Sequence, residues 1–134
     1  FHMNDVCAVV GNENLKHAND LVAKHRANAA YYDEHLQNID GVTLLEREEG
    51  FDSAFWIYSL LVDNRDGFYK HMDECGISVS QVHERNDKHT CVQEFKTDLP
   101  NLDKTIGKIV NIPVGWWVTK EQREHIVNSI RKGW

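Results

Sequence analysis

Between residues 4 and 39 the chain keeps a helical beat: Leu15, Ala18, Val22, His25, Ala29, Tyr32, Leu36 and Ile39 follow one another at three- and four-residue steps. That period puts them on one face and predicts a long N-terminal helix over 4–39. Lys16, Asn19, Asp20, Lys24 and Asn28 fall elsewhere on the wheel and read as the wet side. Asn4 suits the N-cap, and Asp5 just inside it faces the positive helix end. Gly11-Asn12 is the point where one helix can become two, because glycine costs about 1 kcal/mol in a helix interior. Asp40-Gly41 is a stop and turn pair. A helix this long outruns the core that 134 residues can build. Val6-Cys7-Ala8-Val9-Val10 adds an apolar patch near a chain end, where polar residues are usual. Both features predict a contact with a surface outside this chain, the alternative for residues 6–10 being ordinary helix burial.

After the turn the pattern changes to strands. Residues 42–45 are a short extended run, and the acidic stretch 46–50 reads as a solvated loop. Residues 53–62, Ser-Ala-Phe-Trp-Ile-Tyr-Ser-Leu-Leu-Val, are aromatic and β-branched enough for a central strand. Asp63-Asn64 caps a helix carrying Phe68, Tyr69, Met72 and Cys75, which Gly76 stops. Residues 77–82 form the next strand, followed by a polar loop and a short helix through Phe95. A brief helix after Pro100-Asn101 presents Leu102, Ile106 and Ile109, and residues 110–114 are extended. Thr119 and Gln122 make a capping box for a last helix through Arg131, with Ile126, Val127 and Ile130 on its apolar side. The predicted class is α+β: helices on a small, mostly antiparallel sheet, with one parallel crossover between the strands around 57 and 79.

Composition narrows the function. Lys and Arg number 15 against 21 for Asp and Glu, a net charge of −6, which argues against a general phosphate-backbone binder. Cys7, Cys75 and Cys91 form neither a disulfide framework nor a C-x-x-C element, so a reducing cytoplasm is expected. No apolar run approaches the ~20 residues of a bilayer crossing. Neither nucleic acid nor membrane is therefore an expected partner. Phe1-His2-Met3 reads as an appended start, leaving 4–134 as one domain.

The densest polar constellation is Gln81-Val82-His83-Glu84-Arg85-Asn86-Asp87-Lys88-His89, directly after a strand. His83 can donate, accept or carry charge, and Arg85 offers a planar fork for carboxylate or phosphate. Asn86 and Asp87 can bind hydroxyls or close an Asx turn. The same run also reads as a plain solvated connection. His83, His89 and Cys91 do not have zinc spacing, so no metal is expected. His25 reads as a packed histidine, and His71 and His125 as helix-surface residues. No phosphate-binding glycine motif or nucleophile elbow is present. Trp56 and Tyr58 on the central strand read as core, or one of them reaches a pocket. Of the neighbouring Trp116 and Trp117, one is expected inside and the other over an interface or cleft.

The order of segments resembles the C-terminal part of the DegT/DnrJ/EryC1/StrS family of pyridoxal-phosphate-dependent nucleotide-sugar aminotransferases. The matching pieces begin with residues 3–8, Gly11, Asn14-Leu15, residues 26–32 and Leu36. Residues 54–58, 61–63, Arg65, Phe68, Met72 and Gly76-Ile77 follow, then Val82-His83, His89, residues 99–101, 112–114, 119–122 and Ile126. The resemblance implies the small C-terminal domain of an aminotransferase whose larger N-terminal domain holds the pyridoxal phosphate and its Schiff-base lysine. No catalytic or cofactor-binding residue is carried over to this chain, and none of the cofactor is expected tightly bound to it alone. The implied parent moves an amino group from an amino acid, commonly glutamate, to a nucleotide-linked keto sugar and works as a homodimer. By the same match His83 falls on the family's histidine after the strand, His89 lies close to a second one, and Trp56 stands at the cleft edge. Arg85, Asn86 and Asp87 replace an aromatic–proline stretch. His83, Arg85, Asn86, His89 and Trp56 are thus the expected substrate contacts. A free-standing module for a nucleotide sugar or phosphate ligand, or an interaction domain using residues 6–10, are the alternatives.

Overall fold

The chain opens with a capped but unburied helix. In the computed structural model, which describes residues 2–134, α1 spans Asp5–Leu15 and α2 spans Ala18–His35. Phe1 of the expected appended start lies outside the described residues. The Asn4 side chain accepts the Cys7 N–H at 2.8 Å, the N-cap bond its position requires.

The single helix over 4–39 is corrected at both ends of its core-facing half. It breaks at Lys16-His17, not at Gly11, which stays helical. No residue of α1 is buried and Leu15 is 70% exposed, whereas α2 buries Asn28, Ala29 and Tyr32. The break therefore marks where a solvated helix meets a packed one, and an isolated glycine penalty is too small to move it. α2 ends at His35, where Asn38 takes a left-handed φ of +58° and turns Ile39 out of the helical path.

The sheet is three-stranded and antiparallel in the order β1-β2-β3, from Val42–Leu44, Tyr58–Val62 and Ile109–Ile112. Tyr58 lies opposite Ile112 and Leu60 opposite Val110, so one face carries buried Tyr58, Leu60, Val62, Val110 and Ile112. Against this cluster pack Ala29, Tyr32 and Leu36 of α2, Phe68 and Met72 of α3 (Arg65–Glu74), and Ile126, Val127 and Ile130 of α5 (Lys120–Arg131). The α+β class is as the strand and helix patterns require.

Two expected strands are shortened. Residues 53–57 are irregular because no strand pairs with them; β1 and β3 reach only 58–62. Residues 77–82 make one bridge, Ser80 with Asn111, along the outer edge of β3. Asn111 gives Ser80 both backbone bonds, at 2.7 and 3.1 Å, and its side-chain oxygen then takes the Val82 N–H at 2.8 Å, which ends the ladder. Segment 77–82 and β2 are both antiparallel to β3, so they run parallel to each other with β3 between them, which is the expected crossover.

The caps agree with the sequence. Asn64 Oδ1 accepts from Gly67 N–H at 3.1 Å, and Gly76 (φ +73°) closes α3 with Ile77 N–H on Met72 C=O at 2.8 Å. The Thr119–Gln122 capping box forms in both directions, at 3.2 and 2.9 Å. The expected helix through Phe95 is instead two short 3₁₀ turns, Asn86–Lys88 and Thr90–Phe95, and α4 (Pro100–Thr105) follows. His71 is corrected from the surface: it is half-buried and donates through Nε2 to the Ser129 carbonyl of α5 at 2.8 Å. His125 is exposed, as expected.

Candidate functional site

The segment before β2 has no ladder to satisfy its carbonyls, so α2 supplies the donors. Arg26 Nε donates to Ser53 C=O at 2.9 Å, and the His25 ring donates through Nδ1 to Phe55 C=O at 2.8 Å. Phe55 itself has φ +50°, a left-handed conformation that a bulky L-residue occupies only at a cost of about 1–2 kcal/mol. The Arg47 guanidinium lies 4.6 Å from the Phe55 ring centre and holds that ring in place. Arg47 is paired with Asp33, whose other oxygen accepts the Tyr58 hydroxyl at 2.7 Å. Burial, reinforced by the hydrogen bond to Asp33, pushes the Tyr58 phenol far up, so it acts here only as a donor.

The outcome of this bracing is that Trp56 is turned outward, 73% exposed rather than in the core. Its ring stands edge-on to His83 with centroids 6.3 Å apart. Trp56 also borders an open groove of about 260 Å³ that includes Ser78, Ser80, Val82, Asn111 and Trp117. The fold therefore brings together two of the expected contacts, Trp56 from before β2 and His83 from after the Ser80 bridge.

The other three expected contacts lie differently. Arg85 does not hold its fork open. Its Nε and Nη2 donate to the two oxygens of Asp87 at 2.6 Å each, and Nη1 donates to Asp103 of α4 at 2.5 Å. Two residues of separation let Asp87 reach back to a side chain that reads as free in the sequence. Asn86 opens the first 3₁₀ turn and His89 sits between the two turns, both exposed. Hydrogen bonds from Arg85 hold the Asp87 carboxyl below the usual carboxylate range. A lowered folded value means that the clasp contributes fully above the ordinary Asp range and is lost as pH falls through the folded value. The Asp87 side-chain carboxyl carbon, followed by NMR, is accordingly expected to titrate with its midpoint below the ordinary Asp value. A midpoint at or above the ordinary Asp value contradicts the clasp.

Two features were missed. Asn28, read as wet, is 5% exposed, and its side-chain amide donates to the carbonyls of Val114, Gly115 and Val118 at 3.2, 3.1 and 3.5 Å. The signal was available: Asn28 is three residues past His25 and four before Tyr32, so it lies on the apolar face. Asn28 thereby holds the turn that displays Trp116 and Trp117, which are 50% and 62% exposed, so neither packs inside as expected.

All lysine side chains are exposed, so this chain offers no lysine within a closed cleft for an aldehyde cofactor. The described residues do not fit pyridoxal phosphate by themselves.

Residues 1–131 match the model of the DegT/DnrJ/EryC1/StrS aminotransferase family. The crystal structure of the sugar aminotransferase CalS13 from Micromonospora echinospora is 42% identical and superposes with a TM-score of 0.97, over 100% of this chain and 36% of that one. AtS13 from Actinomadura melliaura is 41% identical with a TM-score of 0.96, over 99% and 36%. The erythromycin biosynthesis sensory transduction protein EryC1 of Saccharopolyspora erythraea is 24% identical, over 98% of this chain and 37% of that protein. The chain thus spans little more than a third of the length of these relatives.

Proposed function

The chain belongs to the DegT/DnrJ/EryC1/StrS aminotransferase family, and on that premise we propose that residues 4–134 are the small C-terminal domain of a pyridoxal-phosphate-dependent enzyme. The parent transfers an amino group from an amino acid, glutamate in this reading, to a nucleotide-linked keto sugar in the cytoplasm, as a homodimer. The observation that carries the reading is the span of the match: nearly the whole chain superposes on a third of a sugar aminotransferase. The exposed valines of α1 support it. Val6, Val9 and Val10 are 73%, 63% and 54% exposed, an apolar row that a larger domain of the parent would cover.

The cofactor, bound in that larger domain, supplies the electron sink for amino-group transfer. The residues of this chain contribute binding and orientation. His83 and Trp56 form the part of the cleft wall that touches the sugar nucleotide, and Asn86 and His89 extend it along the exposed turns. Arg85 closes that loop on its own Asp87 and ties it to α4 through Asp103, so its contribution to substrate binding runs through the loop's shape.

In the parent enzyme, His83→Ala is expected to raise KM for the sugar nucleotide about tenfold. The half-reaction with glutamate, which needs no sugar, should keep its rate. An unchanged KM removes His83 from the site.

A further inference from the structure

The Trp116-Trp117 turn is built with more care than an exposed loop needs. A methyl group on Gly115 would stand 2.3–2.4 Å from the Trp117 ring, so the indole lies directly on the Gly115 backbone, where only glycine leaves room. The Val118 N–H closes the turn on Gly115 C=O at 3.0 Å, and buried Asn28 secures three of its carbonyls. His25 connects this turn to the other side of the groove. Its ring meets Trp117 edge-on, with centroids 6.2 Å apart, while its Nδ1 holds the Phe55 carbonyl next to Trp56. Two fixed indoles, 73% and 62% exposed, therefore border one groove. Rigid, solvent-facing aromatics of this kind are the usual anchors of a binding surface.

The lining states the ligand's chemistry. No charged side chain borders the groove; beside the indoles stand exposed Ser78 and Ser80, with Val82 and Ile112 between them, while the buried Asn111 amide is spent on Val82 N–H and Ser59 Oγ. Apolar faces combined with serine hydroxyls suit an uncharged ring that carries C–H faces and hydroxyls. They do not suit a phosphate. We propose that Trp56 and Trp117 wall a subsite for the sugar ring of the substrate, with Asn28 and Gly115 as positioning residues for Trp117. The inference rests on the functional reading given above and adds to it the ring-binding residues.

Saturation-transfer NMR on the 134-residue chain, with uridine diphosphate glucose as the probe, tests this directly. Transfer is expected at the glucose C–H protons, reduced about fivefold in Trp117→Ala and in Trp56→Ala and largely restored in Trp117→Phe. Trp116→Ala, whose ring does not border the groove, should leave it intact. Stronger transfer to the uracil protons than to glucose, unchanged transfer in Trp117→Ala, or none in the unaltered chain each overturns the proposal. The functional reading fails separately. A parent that aminates no sugar removes that reading, whereas a parent that aminates sugars with an unchanged KM in Trp117→Ala removes only the subsite.

Discussion

Phe68→Ala is expected to lower the unfolding free energy by about 3–5 kcal/mol, the range for emptying an aromatic site in a packed core. Phe68 is fully buried in the helix–sheet cluster and meets the Trp134 ring edge-on at 4.9 Å. Trp134 in turn donates from its indole N–H to Asn64 C=O at 2.9 Å and lies 3.4 Å from where a side chain on Gly41 would begin. One ring thus ties α3 to the end of the chain and to the turn before β1. Domains of this kind are stable by about 5–15 kcal/mol, so such a loss consumes a large fraction of the total. Urea unfolding followed by far-UV circular dichroism reads it as a lowered midpoint. A change under about 1 kcal/mol means that the site collapses freely and that the Phe68–Trp134 contact is not structural.

Asn28→Ala is the second large effect, at about 2–3 kcal/mol. Removing one partner of a buried hydrogen bond costs more than the bond was worth, because the remaining group is left dry and unpaired. Here three carbonyls, of Val114, Gly115 and Val118, share the one amide. The loss of stability should come with a red shift of tryptophan emission as the Trp116-Trp117 turn loosens. Equal stability with unchanged emission shows that the turn holds itself and that Asn28 has no positioning role.

What the sequence revealed follows from how local each determinant is. Asn4, Asn64, Gly76 and the Thr119–Gln122 pair act within a turn of themselves, and all four were legible. The α+β class was legible too, since helical and alternating periods do not depend on partners. The segment before β2 was not, because its strand-like residues have no strand opposite them and are held instead by Arg26 and His25 from 27 and 30 residues away. Trp56 is a binding candidate for that same reason: the backbone that fails to become a strand turns the indole out.

The geometry of the candidate site was legible in part. His83 and Trp56 were named on the family resemblance and meet in space. Arg85 was named for its fork, yet its partner lay two residues on, in plain view, and Asp103 completed the clasp. Trp116 and Trp117 were read as a pair, one inside and the other over an interface or cleft, without saying which, because the glycine that seats Trp117 and the asparagine that holds its turn become meaningful only once the helix and the turn touch. A wheel drawn with His25, Asn28 and Tyr32 on one face would have raised the question.

In the function proposed above, this chain orients the substrate of a sugar aminotransferase whose cofactor domain lies elsewhere in the parent protein. The most direct measurement is amino-sugar formation from glutamate and a nucleotide-linked keto sugar. It compares the longer gene product, loaded with pyridoxal phosphate, with the 134-residue chain in the same mixture. The account predicts product from the parent and none from the chain alone, since every lysine of the chain is exposed. Turnover by the 134-residue chain, or a loaded parent that aminates no sugar nucleotide, contradicts it.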